Sequence, residues 1–223
     1  MRRVPALLIV CLGALMLAGG RVALAEPVHP FSTARFTPES WDTEPAAGML
    51  LVAARELRDP FFGQSVILLL EHDSTGSQGL ILNRQSDWHL SDVVSDIDGA
   101  QADQYPLFFG GPMGVHKVVM LVHTADAVAP ARQVADDIYF SDSRRVFEKL
   151  LAARTPADEL HFYLGYAGWT GGQLEGEIAR GSWHLVRGGP ELVFGVGNKG
   201  LWEQMINELE PNGIMVKADL RQP

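Results

Sequence analysis

The sequence predicts an α+β protein: a single compact domain with a mixed or antiparallel sheet and about four helices. Three observations support this fold class. The chain of 223 residues is 47% hydrophobic and 20% charged, which is ordinary for a globular domain of one large core. Short β-rich runs separated by turn residues outnumber the helical stripes. The strands do not alternate regularly with helices, as a doubly wound α/β sheet would require.

The predicted strands are short runs bounded by Gly, Pro, Asn, Asp or Ser. In chain order they cover residues 49–53, 65–70, 79–82, 107–109, 117–122, 137–140, 160–164, 183–186, 191–194 and 214–217. The run 65–70 is apolar on both alternating faces, which predicts a strand covered on both sides.

Helical periodicity is found in fewer places. Asp142 is predicted as the N-cap of a helix that runs through Leu151, because the apolar residues between them fall on one stripe. A second stripe of this kind covers residues 201–209. Shorter helices are predicted at 90–97 and 174–179.

The first 25 residues have the pattern of a secretory signal peptide. Arg2 and Arg3 precede an uncharged run over residues 4–18, and Ala23-Leu24-Ala25 has the A-x-A form that signal peptidase reads. The run is short for a permanent anchor, which needs about 20 apolar residues. We therefore predict cleavage after Ala25, no membrane anchor afterwards and a periplasmic or secreted protein, with an uncleaved leader as the alternative. Residues 26–47 are predicted to form an extended Pro-rich leader, and residues 48–223 the folded domain.

Cleavage changes the charge and the chemistry of the chain. Loss of Arg2, Arg3 and Arg21 lowers Lys+Arg from 18 to 15 against 27 Asp+Glu, so the net charge moves from −9 to −12. Cys11 is lost too, which excludes thiol nucleophiles and thiolate metal sites. A net charge of this sign opposes binding to phosphate backbones, so no nucleic-acid partner is expected. No H-x-x-x-H or H-x-H spacing occurs, and we predict neither a metal nor a cofactor.

Four groups of motifs occur in a specific order. They are Gly48-Met-Leu-Leu-Val-Ala-Ala with Asp59-Pro60-Phe61-Phe62 and Asn83-Arg84; Phe109-Gly110-Gly111-Pro112 with His123; Tyr163-Leu-Gly165-Tyr166-Ala-Gly168-Trp169 with Gly172-Gln173-Leu174-Glu175; and Leu201-Trp202-Glu203. Over residues 48–209 this pattern resembles the AlgH/YqgE family of bacterial proteins. The resemblance implies a single-domain α+β fold without an established activity, often labelled a transcriptional regulator and expected in the cytoplasm.

The sequence departs from the family pattern in three places. Gln85 stands where a proline commonly follows Asn-Arg, and Met113 stands where a valine commonly follows Gly-Gly-Pro. The leader is the third departure. An exported protein cannot meet the chromosome, so regulation of transcription and a cytoplasmic location are kept here as alternatives only.

The segment from Gly165 to Gln173 is the main candidate for a ligand site. Its glycines follow a predicted strand and open a helix, where exposed N–H groups could face an anion or a carbonyl. Tyr166 and Trp169 would form flat walls and Gln173 a polar anchor. The alternative is a tight strand–helix junction whose aromatic rings fill the core.

Two further segments would complete this predicted cleft. Gly110 and Gly111 permit close backbone approach to a ligand, but the favoured interpretation is a plain turn that needs no ligand. Arg84 would be the charge partner of the ligand, because its guanidinium suits carboxylates and phosphates. Alternatively, Arg84 forms a salt bridge to Asp59 or Glu71.

Catalytic chemistry has weaker support in the sequence. His72 or His123, each at the end of a predicted strand, could act as the general base of a hydrolase. No G-x-S-x-G nucleophile elbow occurs. The G-x-G-x-x-G pattern at residues 195–200 follows a predicted strand, but a Rossmann sheet needs several more βα units than the sequence provides before Pro223.

The sequence therefore predicts a non-catalytic, exported binding or accessory protein with no catalytic residue assigned. Its partner would be an unidentified small ligand or another protein. A hydrolase and a transcriptional regulator are the two alternatives.

Overall fold

The computed structural model of the protein describes residues 44–95, 99–195 and 200–211. The strands in this part of the chain are β1 (Met49–Ala53), β2 (Val66–Asp73), β3 (Gly76–Ile81), β4 (Leu107–Phe109), β5 (Met113–His123), β6 (Arg132–Ala135), β7 (Ile138–Ser141), β8 (Leu160–Thr170) and β9 (Trp183–Arg187). The helices are α1 (Leu90–Val93), α2 (Gly99–Ala102), α3 (Arg144–Ala152), α4 (Gln173–Ala179), α5 (Pro190–Val193) and α6 (Leu201–Leu209).

All nine strands belong to one sheet. Eight of them follow the order β6-β7-β5-β8-β3-β2-β1-β9, and β4 pairs with β8 beside this path. Neighbouring strands are antiparallel, except that β4 and β8 are parallel. The predicted α+β class with a mixed or antiparallel sheet and about four helices is confirmed, since α3, α4 and α6 are the longer helices and the other three are single turns.

Strand β8 is the shared element of the sheet. One of its edges pairs with β5, while the other pairs with β4 up to Leu164 and with β3 from Ala167 onward. Between these two stretches lies Gly165 with φ +68°, a left-handed conformation that favours glycine.

The sheet curls until β6 meets β2. Arg132 on β6 donates a hydrogen bond from Nη1 to the carbonyl oxygen of Leu70 at 2.7 Å. Cross-strand partners share a face of a sheet, and register pairs connect Arg132 to Phe140, Phe140 to Leu121 and Leu121 to His161. The face of β8 that carries His161 is therefore the concave, inner face.

The outer face of β8 packs against α3. Alternation places Leu160, Phe162 and Leu164 on this face, and all three belong to one buried apolar cluster with the stripe of α3. The rings of Phe147 and Phe162 lie 5.3 Å apart at an interplanar angle of 74°. This packing explains why the periodicity of α3 was readable from the sequence.

The structure corrects two sequence-based predictions. The predicted strand at 191–194 is wrong, because Pro190–Val193 is a helical turn with Gly189 as N-cap and proline at its first position, where proline is pre-organised for a helix. Helix α3 begins at Arg144 after Ser143, and Asp142 is not its N-cap. The predicted signal peptide, most of the Pro-rich leader and the predicted strand at 214–217 lie outside the described residues.

Candidate functional site

The turn glycines Gly110 and Gly111 pack against the backbone of β8. The N–H of Gly110 donates to the carbonyl oxygen of Leu164 at 2.8 Å, and the carbonyl oxygen of Gly110 accepts from the N–H of Ile81 at 2.9 Å. A Cβ on Gly111 would lie 2.2 Å from the carbonyl carbon of Tyr166. Backbone of β8 thus occupies the space that these glycines leave free.

Trp169 belongs to an aromatic cluster organised by Glu177. Its indole N–H donates to Oε2 of Glu177 at 3.0 Å, and the indole of Trp183 donates to the same oxygen at 2.9 Å. Gln173 donates to the other carboxylate oxygen at 3.0 Å. Trp169 is buried and stacks on Phe62 with ring centroids 5.9 Å apart. Trp169 and Gln173 are therefore brought together around Glu177, a residue that no sequence motif indicates.

Arg84 supports a neighbouring loop. Its Nη2 donates to the carbonyl oxygen of Gly63 at 3.0 Å, and partial burial lowers the pKa of Arg84, with the charge of Asp59 opposing this shift. The carboxylate of Asp59 accepts hydrogen bonds from backbone N–H groups of its own loop. Glu71 pairs with Arg132 at 3.5 Å.

Tyr166 lies in a groove of about 220 Å³ between β2, β3, β5, β6, β7 and β8. Its polar lining residues are Glu71, Gln78, Lys117, Arg132, Asp142 and Tyr166, and its apolar lining residues are Leu70, Val119 and Phe140. We call this the Tyr166 groove. Of the residues proposed from the sequence for the ligand site, Tyr166 alone lines it.

Of the four charged residues that line the groove in the described part of the chain, Glu71 and Arg132 form an ion pair, whereas Lys117 and Asp142 do not. Arg132 contacts the carboxylate of Glu71 and the carbonyl oxygen of Leu70, and its guanidinium lies 5.3 Å from the ring centroid of Phe140. The side chains of Lys117 and Asp142 form no hydrogen bond or ion pair with any other described residue. Lys117 and Asp142 are thus available to a ligand.

Beneath the groove the interior of the sheet is neutral. Val119 is the register partner of Tyr163, which is two residues from His161 on the same face of β8. Among the described residues, the Tyr163 hydroxyl and Nδ1 of His161 are buried without a hydrogen-bond partner. Burial lowers the pKa of His161 to about 4, with the charge of Asp158 opposing the shift, and burial raises the pKa of Tyr163. Both side chains are uncharged at neutral pH.

His72 lies in a Ser–His–carboxylate arrangement. Its Nδ1 is 2.8 Å from Oγ of Ser77, and its Nε2 is 3.7 Å from Oε1 of Glu175. In a serine hydrolase the serine must be accessible to substrate and the carboxylate is usually buried. Here Ser77 is only 4% exposed, whereas the side chain of Glu175 is 45% exposed. Ser77 was missed in the sequence because it meets His72 only through the register of the β2–β3 hairpin.

His123 lies far from this arrangement. Its N–H donates to the carbonyl oxygen of Glu159, just before β8, whereas Ser77 is paired with Trp169 near the other end of β8. The imidazole of His123 stacks on Phe194 with centroids 5.7 Å apart. The two histidines therefore cannot serve one cleft.

Three further features bear on possible ligands. In the described ranges no three His, Asp or Glu side chains converge in a way that could hold a metal ion. No helix among the described residues is both long and apolar enough to cross a bilayer. The G-x-G-x-x-G pattern follows helix α5, so it lacks the preceding strand of a dinucleotide fingerprint, and its residues 196–199 lie outside the described ranges.

The fold and the groove define an α+β protein whose curled, mainly antiparallel sheet carries a small charged groove between its strands. A family model described as DUF179, AlgH-like, matches residues 50–213. The chain belongs to this AlgH-like family. The resemblance noted in the sequence motifs is thereby confirmed.

Relatives and solved structures agree with this assignment. The chain is 33% identical over 162 residues to a UPF0301 protein of Chlorobium luteolum, covering 72% of this chain and 84% of the relative. It is 30% identical over 178 residues to a UPF0301 protein of Vibrio parahaemolyticus, covering 76% and 94%. The solution structure of AlgH from Pseudomonas aeruginosa is similar with a TM-score of 0.63 and 25% identity, covering 75% of this chain and 90% of AlgH. The crystal structure of DIP2367 from Corynebacterium diphtheriae is similar with a TM-score of 0.62 and 28% identity, covering 74% and 87%.

Proposed function

We propose that this AlgH-like protein is a non-catalytic, exported binding protein that takes a small ligand in the Tyr166 groove. The observation that carries the proposal is the pair of unengaged charges, Lys117 and Asp142, above an apolar floor. Small-molecule sites commonly combine an apolar wall with a few polar groups that fix the ligand's orientation.

The size of the groove limits the ligand. Typical sites for drug-sized ligands measure roughly 300–1,000 Å³, and the Tyr166 groove measures about 220 Å³. The half-buried ring of Tyr166 offers a flat wall with a hydroxyl at its tip. The ring of Phe140 is already covered on one side by Arg132. A ligand with few heavy atoms fits this space.

The lining of the groove supports binding without a covalent step. Its nine residues include no serine, threonine, cysteine or histidine. Lysine, carboxylate and tyrosine side chains also serve as nucleophiles, but only when an adjacent group activates them, and the side chains of Lys117, Asp142 and Tyr166 form no hydrogen bond with any other described residue.

Export is supported by the signal-peptide pattern of residues 1–25. A net charge of −12 suits a protein that does not bind nucleic acid. The regulatory label of the family is therefore not carried over to this chain.

Nuclear magnetic resonance tests the binding function. A low-molecular-mass extract of the cells that make the protein is added to the isotope-labelled protein. We expect shifts of the Tyr166, Lys117 and Val119 resonances, their loss in Lys117→Glu and their retention in His116→Glu, a matched change at an exposed neighbouring position. Unchanged groove resonances in the native protein, or shifts that persist in Lys117→Glu, would refute the proposal.

The second candidate is a hydrolase with His72 as base, favoured by the 2.8 Å contact with Ser77. A nucleophile must reach its substrate, and Ser77 is buried. A fluorophosphonate probe separates the two functions. We expect no labelling of the native protein. Labelling that disappears in Ser77→Ala would replace the binding proposal with a hydrolase.

A further inference from the structure

Building on the proposed function, we infer that the ligand of the Tyr166 groove is a small zwitterion of the amino-acid type. Its carboxylate would bind the ammonium group of Lys117, and its ammonium group would bind the carboxylate of Asp142.

The balance of charge in the groove points to a ligand without net charge. Two cations, Lys117 and Arg132, face two anions, Glu71 and Asp142. Arg132 and Glu71 already pair at 3.5 Å, and Arg132 is further held by Leu70. A ligand with a single charge would satisfy either Lys117 or Asp142 and desolvate the other without a partner. A zwitterion forms a charge-assisted hydrogen bond with each of them.

The positions of the two open charges fit a short bridging ligand. Strand β5 pairs with β7 through Met120 and Ser141, so Asp142 continues this register next to Val119. Lys117 lies two residues from Val119 along β5, which corresponds to a diagonal cross-strand separation of about 7–8 Å. An α-amino acid carries both of its charged groups on one carbon, so it can contact both side chains.

The rest of the groove selects the side chain of the ligand. Tyr166 provides an aromatic wall, and Leu70 and Val119 provide an apolar floor. Aromatic rings pack favourably against one another in offset or edge-on geometry. An aromatic amino acid is therefore a suitable probe, and L-phenylalanine has two close analogues that each lack one charge.

Isothermal titration calorimetry of the purified protein compares three probes: L-phenylalanine, phenylacetate and phenethylamine. Phenylacetate lacks the ammonium group and phenethylamine lacks the carboxylate. We expect L-phenylalanine to bind at least tenfold more tightly than either analogue, because a charge-assisted hydrogen bond contributes about this factor.

Two variants test which charged group of the ligand binds to Lys117 and which binds to Asp142. Lys117→Gln should weaken binding of L-phenylalanine at least tenfold and leave phenethylamine unchanged. Asp142→Asn should weaken L-phenylalanine equally and leave phenylacetate unchanged. His116→Gln and Asp136→Asn, at exposed positions outside the groove, serve as controls and should bind all three probes like the native protein.

The outcomes separate this inference from the proposed function. If an analogue binds as tightly as L-phenylalanine, or if L-phenylalanine still binds to Lys117→Gln, the inference of a zwitterionic ligand is wrong. The proposed binding function is not affected by either result. The same holds if none of the three probes binds while the cell extract still shifts the groove resonances. If none of the probes binds and the extract does not shift the groove resonances, both proposals are wrong.

Discussion

Gly111 lies in direct contact with the backbone of Tyr166. A Cβ at Gly111 would be 2.2 Å from the carbonyl carbon of Tyr166 and 2.4 Å from its carbonyl oxygen, and Gly111 has φ +152°. Met113, two residues later, is the register partner of Tyr166. The turn between β4 and β5 therefore fixes the backbone that carries the aromatic wall of the groove.

Gly111→Ala should strongly destabilise the protein. The added methyl group overlaps backbone atoms that cannot rotate away, and we expect a loss of about 3 kcal/mol or more in the free energy of unfolding, at the upper end of single substitutions. Gly172→Ala is the matched control, since φ is +77° there but the added Cβ has no atom within 4 Å apart from those of adjoining residues in the chain. We expect Gly172→Ala to lower the free energy of unfolding by about 1 kcal/mol. Urea unfolding measures the free energy of unfolding of both variants. An equal loss in Gly111→Ala and Gly172→Ala would contradict the close contact between Gly111 and the backbone of Tyr166.

Glu177→Ala should destabilise the aromatic cluster. Both indole N–H groups of Trp169 and Trp183 lose their acceptor while buried, at a cost of about 1–3 kcal/mol for each donor left unpaired. Glu177→Gln keeps one carbonyl oxygen and should lose less. Glu175→Ala, on the exposed side of the same helix, should change the free energy of unfolding by less than about 1 kcal/mol. A loss in Glu177→Ala no larger than in Glu175→Ala would count against the indole contacts.

Stability should fall between pH 6.5 and pH 4 because of His161. The pKa of His161 is about 4 in the folded protein and about 6.5 in the unfolded chain. Below pH 6.5 the unfolded chain binds a proton that the folded protein does not, so acid favours unfolding by up to about 3 kcal/mol at pH 4.

The variant His161→Phe tests this pH dependence. It removes the titrating group and places a third ring beside Phe108 and Phe194. Urea unfolding at pH 7 and at pH 4.5 should show a smaller loss for His161→Phe than for the native protein. His116→Gln, at an exposed histidine, should behave like the native protein. Parallel losses in all three would show that His161 does not titrate as described.

The leader should be removed in the cell. We expect intact-mass analysis of the periplasmic fraction to give a chain that begins at Glu26, after the A-x-A pattern of residues 23–25. Replacing the small residue in Ala25→Trp should block processing and leave the longer chain associated with the membrane. Unprocessed native protein in the cytosol would contradict export and return gene regulation to consideration.

Strong local periodicity explains which elements could be predicted. Strand β1 and helix α6 have the predicted bounds, because β1 is a continuous run of five buried apolar residues and the buried residues of α6 recur with helical spacing. The sequence does not predict strand β6, because two of the four residues in Arg132–Ala135 are polar and only Val134 is buried. Its position depends on pairing with β7 across a turn in which Asp137 has φ +57°. A short polar edge strand has no periodic signal of its own.

The candidate site was predicted only in part for a related reason. Tyr166 was identified from local glycine and aromatic density. Lys117, Arg132 and Asp142 join it only because the sheet brings β5, β6, β7 and β8 together. Trp169 was assigned to the same cleft, but the left-handed Gly165 and the pairing with β3 direct it toward Glu177. Strand order and register are long-range properties that no local motif encodes.

The central position of β8 has a consequence for biosynthesis. Strands β3 and β5 both pair with β8, which begins only at Leu160, so the ribosome must complete roughly the first three quarters of the chain before the two strands acquire their common neighbour. Until then both carry open edges, and their closure is a long-range and slow event. A nascent chain that stalls before residue 160 should therefore be cut rapidly by proteases, whereas the finished polypeptide buries these edges in one cooperative step.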